Sequence, residues 1–126
     1  MKSVLVTGSA GFIGFHMSNF LLEKGYKVIG YDSLNNYYDV RIKIKRNKIL
    51  KNSNNFFFYK NKLENKNYLK KIFKKHKIDF VIHLAAQAGV RHSIDHPEEY
   101  LSSNIIGTFN ILDCCKDFKV KHLLCA

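Results

Sequence analysis

The residues best suited to chemistry stand at the start of the chain. Thr7-Gly8-Ser9-Ala10-Gly11-Phe12-Ile13-Gly14 sets glycines at positions 8, 11 and 14. The apolar run Ser3–Thr7 precedes this turn, and a helical pattern follows it from Phe12. The first glycine permits a tight strand-to-helix turn, the second lets a pyrophosphate approach the backbone, and the third lets the helix pack close to the strand. A helix that starts here offers free N–H groups and its positive dipole end to phosphate oxygens. Lys27–Tyr31 reads as a second strand and ends against Asp32. That is the separation at which a carboxylate reaches the adenosine ribose hydroxyls of a bound dinucleotide. A carboxylate repels a 2′-phosphate, and no arginine follows Asp32 immediately, so the expected cofactor is NAD rather than NADP.

Other reactive side chains are less organised. His92 and His96 are four apart with Asp95 between them, a spacing that invites a metal. A polar loop capping a helix at Pro97 accounts for them, and no metal is expected. His83 ends an apolar strand and reads as a core histidine with its polar atoms satisfied. Cys114, Cys115 and Cys125 form no metal spacing. Adjacent helical residues point about 100° apart and do not readily share one ion. They read as reduced thiols of a cytoplasmic protein.

These residues need a scaffold, and the chain alternates strand and helix. Strands are expected at Ser3–Thr7, Lys27–Tyr31, Phe56–Tyr59, Asp79–Leu84 and Lys121–Cys125. Helices are expected at Phe12–Lys24, Tyr38–Lys51, Asn67–His76 and from Pro97 to about Phe118. Phe12, Phe15, Met17, Phe20 and Leu21 make the expected apolar stripe of the first helix, and Gly25 stands where it ends. Val40, Ile44, Ile49 and Leu50 are expected to face inward from the second. The strands are apolar runs without in/out alternation, which predicts a doubly wound parallel α/β sheet covered on both faces, with five strands in this chain. A fifth strand ending at Ala126 suggests the N-terminal part of a longer domain.

The chain has 126 residues, one domain's worth, with 21 Lys+Arg against 10 Asp+Glu and a formal charge of +11. At this size roughly two-thirds of the unfolded surface is buried on folding. The lysines spread over Arg41–Lys51 and Lys60–Lys77, interleaved with Asn and Ile. That is a solvated basic surface, and no cap-and-turn recognition helix accompanies it. Specific nucleic-acid binding is not expected. The apolar stretches are strand-sized, so neither a membrane span nor a signal peptide is expected.

The turn Thr7-Gly8-x-x-Gly11-x-x-Gly14 has the glycine spacing of the extended short-chain dehydrogenase/reductase family, the NAD-dependent epimerases and dehydratases. Leu84-Ala85-Ala86-Gln87 and Asn104-Ile105-Ile106-Gly107-Thr108 are also similar to that family. Asp32-Ser33-Leu34-Asn35-Asn36-Tyr37-Tyr38-Asp39-Val40 and His83 through Arg91 resemble the nucleotide-sugar epimerases, most closely those acting on UDP-glucuronate. The resemblance runs the whole chain.

It implies tightly held NAD and epimerisation through transient oxidation at sugar C4. In this family a Tyr takes the hydroxyl proton, a Lys lowers its pKa and a Ser or Thr orients the hydroxyl. It implies that Gly8, Gly11, Phe12, Ile13 and Gly14 meet the pyrophosphate. Asp32, Ser33 and Asn35 would hold the adenosine half, and Leu63 would cover the adenine. Leu84, Ala85 and Ala86 would line the path to the nicotinamide, with Asn104 beneath the cofactor in a polar network. Val90, Arg91 and Ser93 would approach a UDP-sugar. The family also implies a homodimer when complete.

The sequence departs from the family in three places. No tyrosine in the chain has a lysine four residues later, so no catalytic residue is assigned and the chain alone is expected to be inactive. Lys62 precedes Leu63 where relatives carry an acid against the adenine amino group. His92 stands where relatives tend to have Tyr. The alternatives are another UDP- or dTDP-sugar epimerase, a 4,6-dehydratase, or a non-catalytic NAD-binding module.

Overall fold

A computed structural model describes residues 1–126. The element order is β1 (Ser3–Thr7), α1 (Phe12–Glu23), β2 (Lys27–Asp32), α2 (Val40–Leu50), β3 (Phe56–Lys60), α3 (Lys66–His76), β4 (Phe80–His83), α4 (Val90–Asp95), α5 (Pro97–Tyr100), a π-helical turn (Leu101–Ile106), α6 (Gly107–Asp117) and β5 (His122–Cys125). No helix is long and apolar enough to cross a membrane.

The strands form one parallel sheet in the order β3-β2-β1-β4-β5. Chain order reverses at β1, whose C-terminal residue Thr7 lies between Tyr31 and His83. In an open α/β sheet a ligand crevice forms outside the strand ends at such a reversal. β1 is buried throughout, and alternate residues feed two cores. Val4, Val6 and Val28 pack with Leu21, Leu50 and Phe56 on one face. Leu5, Ile29, Tyr31 and Val81 pack with Leu69, Ile72, Phe73 and Ile111 on the other.

The doubly wound expectation is met, but three local expectations need correction. On α1, Phe12 and Phe20 are exposed, and the buried residues are Gly14, Ser18 and Leu21. The close approach of α1 to the sheet selects small residues, so the large aromatics turn outward. On α2, Ile44 and Ile49 are exposed, while Lys43, Asn47 and Leu50 are buried. β3 is an edge strand, and Phe57 is 40% exposed, with Lys27 Nζ 5.1 Å from its ring centroid. The helix expected from Pro97 to about Phe118 runs unbroken from Pro97 to Asp117, with right-handed helical backbone at each junction, and only its Leu101–Ile106 stretch takes a π-helical hydrogen-bond register. The short α4 before it is also new.

Candidate functional site

The glycine turn follows from backbone geometry. Gly8 has φ +72°, a left-handed conformation that side chains disfavour, and a Cβ there would lie 3.0 Å from the Ala85 backbone. Its N–H donates to the Tyr31 carbonyl at 2.8 Å, tying the turn to β2. The Gly11 N–H donates to the Gly8 carbonyl at 3.0 Å. A Cβ on Gly14 would overlap that same carbonyl, so only glycine lets α1 start here. Gly11 caps α1 without a side chain, and no acidic residue stands in the first turn. The first-turn N–H groups therefore face outward with the helix dipole behind them.

Asp32 ends β2 beside this turn and is 8% exposed. Its Oδ2 accepts the Ala10 N–H at 3.0 Å, and its Oδ1 accepts the Leu34 N–H at 2.8 Å. A carboxylate offers about four lone-pair sites, so two remain for hydroxyl donors. α2 supplies cations to the same edge. Lys43 Nζ donates to Asn35 Oδ1 at 2.7 Å and to the Asn35 carbonyl at 3.2 Å. Arg46 donates to the Ala10 carbonyl and to the Tyr38 hydroxyl, each at 3.0 Å.

The opposite wall is built by side chains. Thr7 Oγ1 accepts the Leu84 and Ala85 N–H groups, both at 3.0 Å, and lies 2.7 Å from His83 Nδ1. A hydroxyl has one donor and two acceptor sites. Both acceptors are used, so the Thr7 hydroxyl donates to Nδ1. The His83 proton then sits on Nε2, which donates to Thr108 Oγ1 at 3.0 Å. Burial holds the His83 pKa below its usual value, consistent with this neutral form. Asn104, in the π turn, accepts the Gln87 N–H at 2.7 Å and donates to the Gln87 carbonyl at 3.3 Å. The pair of bonds holds the Leu84–Gln87 loop much as a neighbouring strand would.

Between these walls lies a cavity of about 730 Å³. Gly8, Gly11, Phe12, Ile13, Gly14, Asp32, Ser33, Asn35, Leu63, Leu84, Ala85 and Ala86 all line it. Asn104 stands behind the wall it supports. Val90 and Arg91 are exposed and Ser93 is half-buried, and none of the three lines the cavity. The Ser93 hydroxyl donates instead to the Val90 carbonyl. Leu63 is fixed from below, where Asn110 donates to its carbonyl at 2.9 Å and Gly107 leaves room for its side chain. Lys62 is exposed at the cavity edge, and its carbonyl accepts the Tyr31 hydroxyl at 2.7 Å.

Sequence reasoning missed several lining residues: Lys43 and Arg46 on α2, Ser102 and Ser103 in the π turn, and Glu64, next to Leu63. The signal for Lys43 is its helical spacing with Asn47 and Leu50, masked by the expectation that isoleucines mark the buried face. A polar loop without a metal is the sequence expectation for His92 and His96. The structure puts His96 between α4 and α5 and brings Glu99 to them.

The fold and the glycine turn define a Rossmann-type α/β domain with its crevice at the β1 reversal. The chain belongs to the GDP-mannose 4,6 dehydratase family, whose profile matches residues 5–125. It is 52% identical over 126 residues to a UDP-glucuronate 4-epimerase of Thermodesulfobacterium geofontis, covering 100% of this chain and 39% of that protein. It is 42% identical over 122 residues to a probable UDP-glucuronate 4-epimerase of Rhizobium meliloti, covering 97% of this chain and 36% of the relative. A Bacillus cereus UDP-glucuronic acid 4-epimerase mutant, solved with NAD and UDP-4-deoxy-4-fluoro-glucuronic acid, superposes with a TM-score of 0.87 at 33% identity. That match covers 98% of this chain and 39% of the other. The chain thus spans under two-fifths of the length of these relatives.

Proposed function

We propose that residues 1–126 form an NAD-binding domain serving a nucleotide-sugar 4-epimerase that acts on UDP-glucuronate. The observation that carries this reading is Asp32, a carboxylate at the cavity edge that also holds the Ala10 N–H of the glycine turn. One residue thereby joins the expected ribose and pyrophosphate subsites. The surroundings fit the cofactor: glycines where a Cβ would block the backbone, uncapped first-turn amides, and a cavity of about 730 Å³. NAD held there would supply a hydride acceptor for sugar C4.

The protein's own residues bind and orient. Phe12, Ile13 and Gly14 offer backbone amides to the pyrophosphate, and Gly8 and Gly11, whose own amides are bonded within the turn, let it approach by lacking a Cβ. Asp32, Ser33 and Asn35 hold the adenosine half, and Leu63 covers the adenine. Leu84, Ala85 and Ala86 shape the path to the nicotinamide, and Asn104 keeps that path in place. Val90, Arg91 and Ser93 are assigned to the UDP-sugar from α4, the helix whose His92 lines the cavity. We assign no catalytic residue within 1–126, because no tyrosine there is followed four residues later by a lysine. The reading places the protein in the cytoplasm, as a homodimer, without nucleic-acid or membrane partners.

Calorimetric titration with NAD and NADP tests the cofactor assignment. Saturable NAD binding with weaker NADP binding is expected. Equal or tighter NADP binding, or no NAD binding, overturns it. Incubation with UDP-glucuronate and NAD is expected to give no UDP-galacturonate from residues 1–126. The family's dehydratase description supports a second reading, and product analysis separates loss of water from inversion at C4.

A further inference from the structure

We infer that His92, His96 and Glu99 form a binding site for a borderline divalent ion such as Zn²⁺ at the cavity mouth. Their ligating atoms all lie within 4.8 Å of one another. His92 Nε2 is 2.9 Å from Glu99 Oε2. The imidazoles stack with centroids 4.4 Å apart. Zinc bonds imidazole nitrogen and carboxylate oxygen at about 2.0–2.2 Å, so tetrahedral ligands sit a little over 3 Å from one another. Rotations of the exposed His96 and Glu99 side chains about the half-buried His92 convert the observed spacing into that geometry.

The donor set selects the ion. Two imidazoles and one carboxylate suit zinc and its transition-metal neighbours better than calcium or magnesium, which take oxygen ligands. Three protein ligands also leave a fourth position open to water or to a group in the cavity. One ligand is already positioned: the His92 ring rests 5.0 Å from Tyr37 and 6.2 Å from Tyr100. The other two come from across the α4–α5 break. His96 is the residue between the helices, and Glu99 lies within α5. Glu98 Oε1, 3.9 Å from His96 Nδ1, is the competing carboxylate. Because His92 and Glu99 both line the cavity, a bound ion would tie α4 to α5 along its rim.

The test is calorimetric titration with ZnCl₂, with CoCl₂ uptake followed by its visible d–d bands. A Cys125→Ser background removes the exposed thiol, which binds the same ions. The expected result is one ion per chain, with four-coordinate nitrogen–oxygen cobalt bands and no thiolate charge-transfer band. Losing an outer-shell partner typically costs about 10–100-fold in metal affinity, so His96→Ala and Glu99→Gln are each expected to weaken binding by at least that much. His96 is exposed and Glu99 keeps its shape as Gln, so both variants are expected to retain the wild-type circular dichroism. No uptake by the background protein, or unchanged affinity in either variant, overturns the assignment. NAD is absent throughout, so the outcome is independent of the cofactor reading.

Discussion

The two walls of the cavity are made in different ways. The β1–α1–β2 wall is backbone: glycines at fixed spacing, amides facing outward, and one buried carboxylate closing the turn. The wall from Leu84 to Ser103 is irregular, with two short helices and a π turn, and side chains reaching from elsewhere hold it. Thr7 reaches across 77 and 78 positions to the Leu84 and Ala85 amides, and Asn104 reaches back 17 to Gln87. A backbone wall fails all at once when a Cβ intrudes. A wall held by side chains can be loosened one bond at a time.

The largest expected effect is Gly14→Ala, which breaks the first wall. Its Cβ meets backbone rather than a yielding side chain, so overpacking is expected to cost about 3 kcal/mol. Urea unfolding should show the loss, and NAD titration should show no binding. Asp32→Ala comes next. It leaves the Ala10 and Leu34 amides without their acceptor, at a cost of about 2 kcal/mol. A stability and NAD affinity both equal to wild type would mean that the carboxylate does not close the turn.

Asn104→Ala tests the second wall alone. Loss of its bonds to Gln87 is expected to cost about 1 kcal/mol. Hydrogen exchange should quicken at Gln87 while the Gly8 amide stays protected. If both quicken together, the walls are not separable.

Acidification should also act away from the glycine turn. Burial brings the His76 pKa down to about 4 and lowers that of His83. The unfolded chain, with its histidines near 6.5, binds protons that the folded chain refuses. Stability is therefore full above about pH 6.5 and falls as pH drops toward 4, where His76 itself titrates. Protonated His83 would turn Nδ1 into a donor against the Thr7 hydroxyl, so exchange should quicken first at Leu84 and Ala85. Urea unfolding with lower stability near neutral pH than in acid would overturn this account. The smallest effect is Arg41→Ala, which removes an exposed pair with Asp39 and should leave stability and NAD titration unchanged.

Much of the first wall was legible in the sequence. Gly8, Gly11, Gly14 and Asp32 each answer a local requirement, and the structure brings all four to the cavity. The strand pattern likewise gave the parallel sheet. The buried faces of α1 and α2 were less legible. Gly14 and Ser18 face the sheet because the helix lies close to it, and Lys43 is buried with its ammonium on Asn35. Hydrophobicity does not mark any of these three positions.

What the sequence by itself determined is the backbone site, because glycine spacing constrains φ, ψ and close approach over a few residues. What only the tertiary structure decided is the partnership of distant side chains. His83 is a relay between Thr7 and Thr108, Asn104 substitutes for a neighbouring strand at Gln87, and Glu99 reaches His92. Those contacts depend on where the sheet and the π turn set each Cα, and no local pattern encodes that.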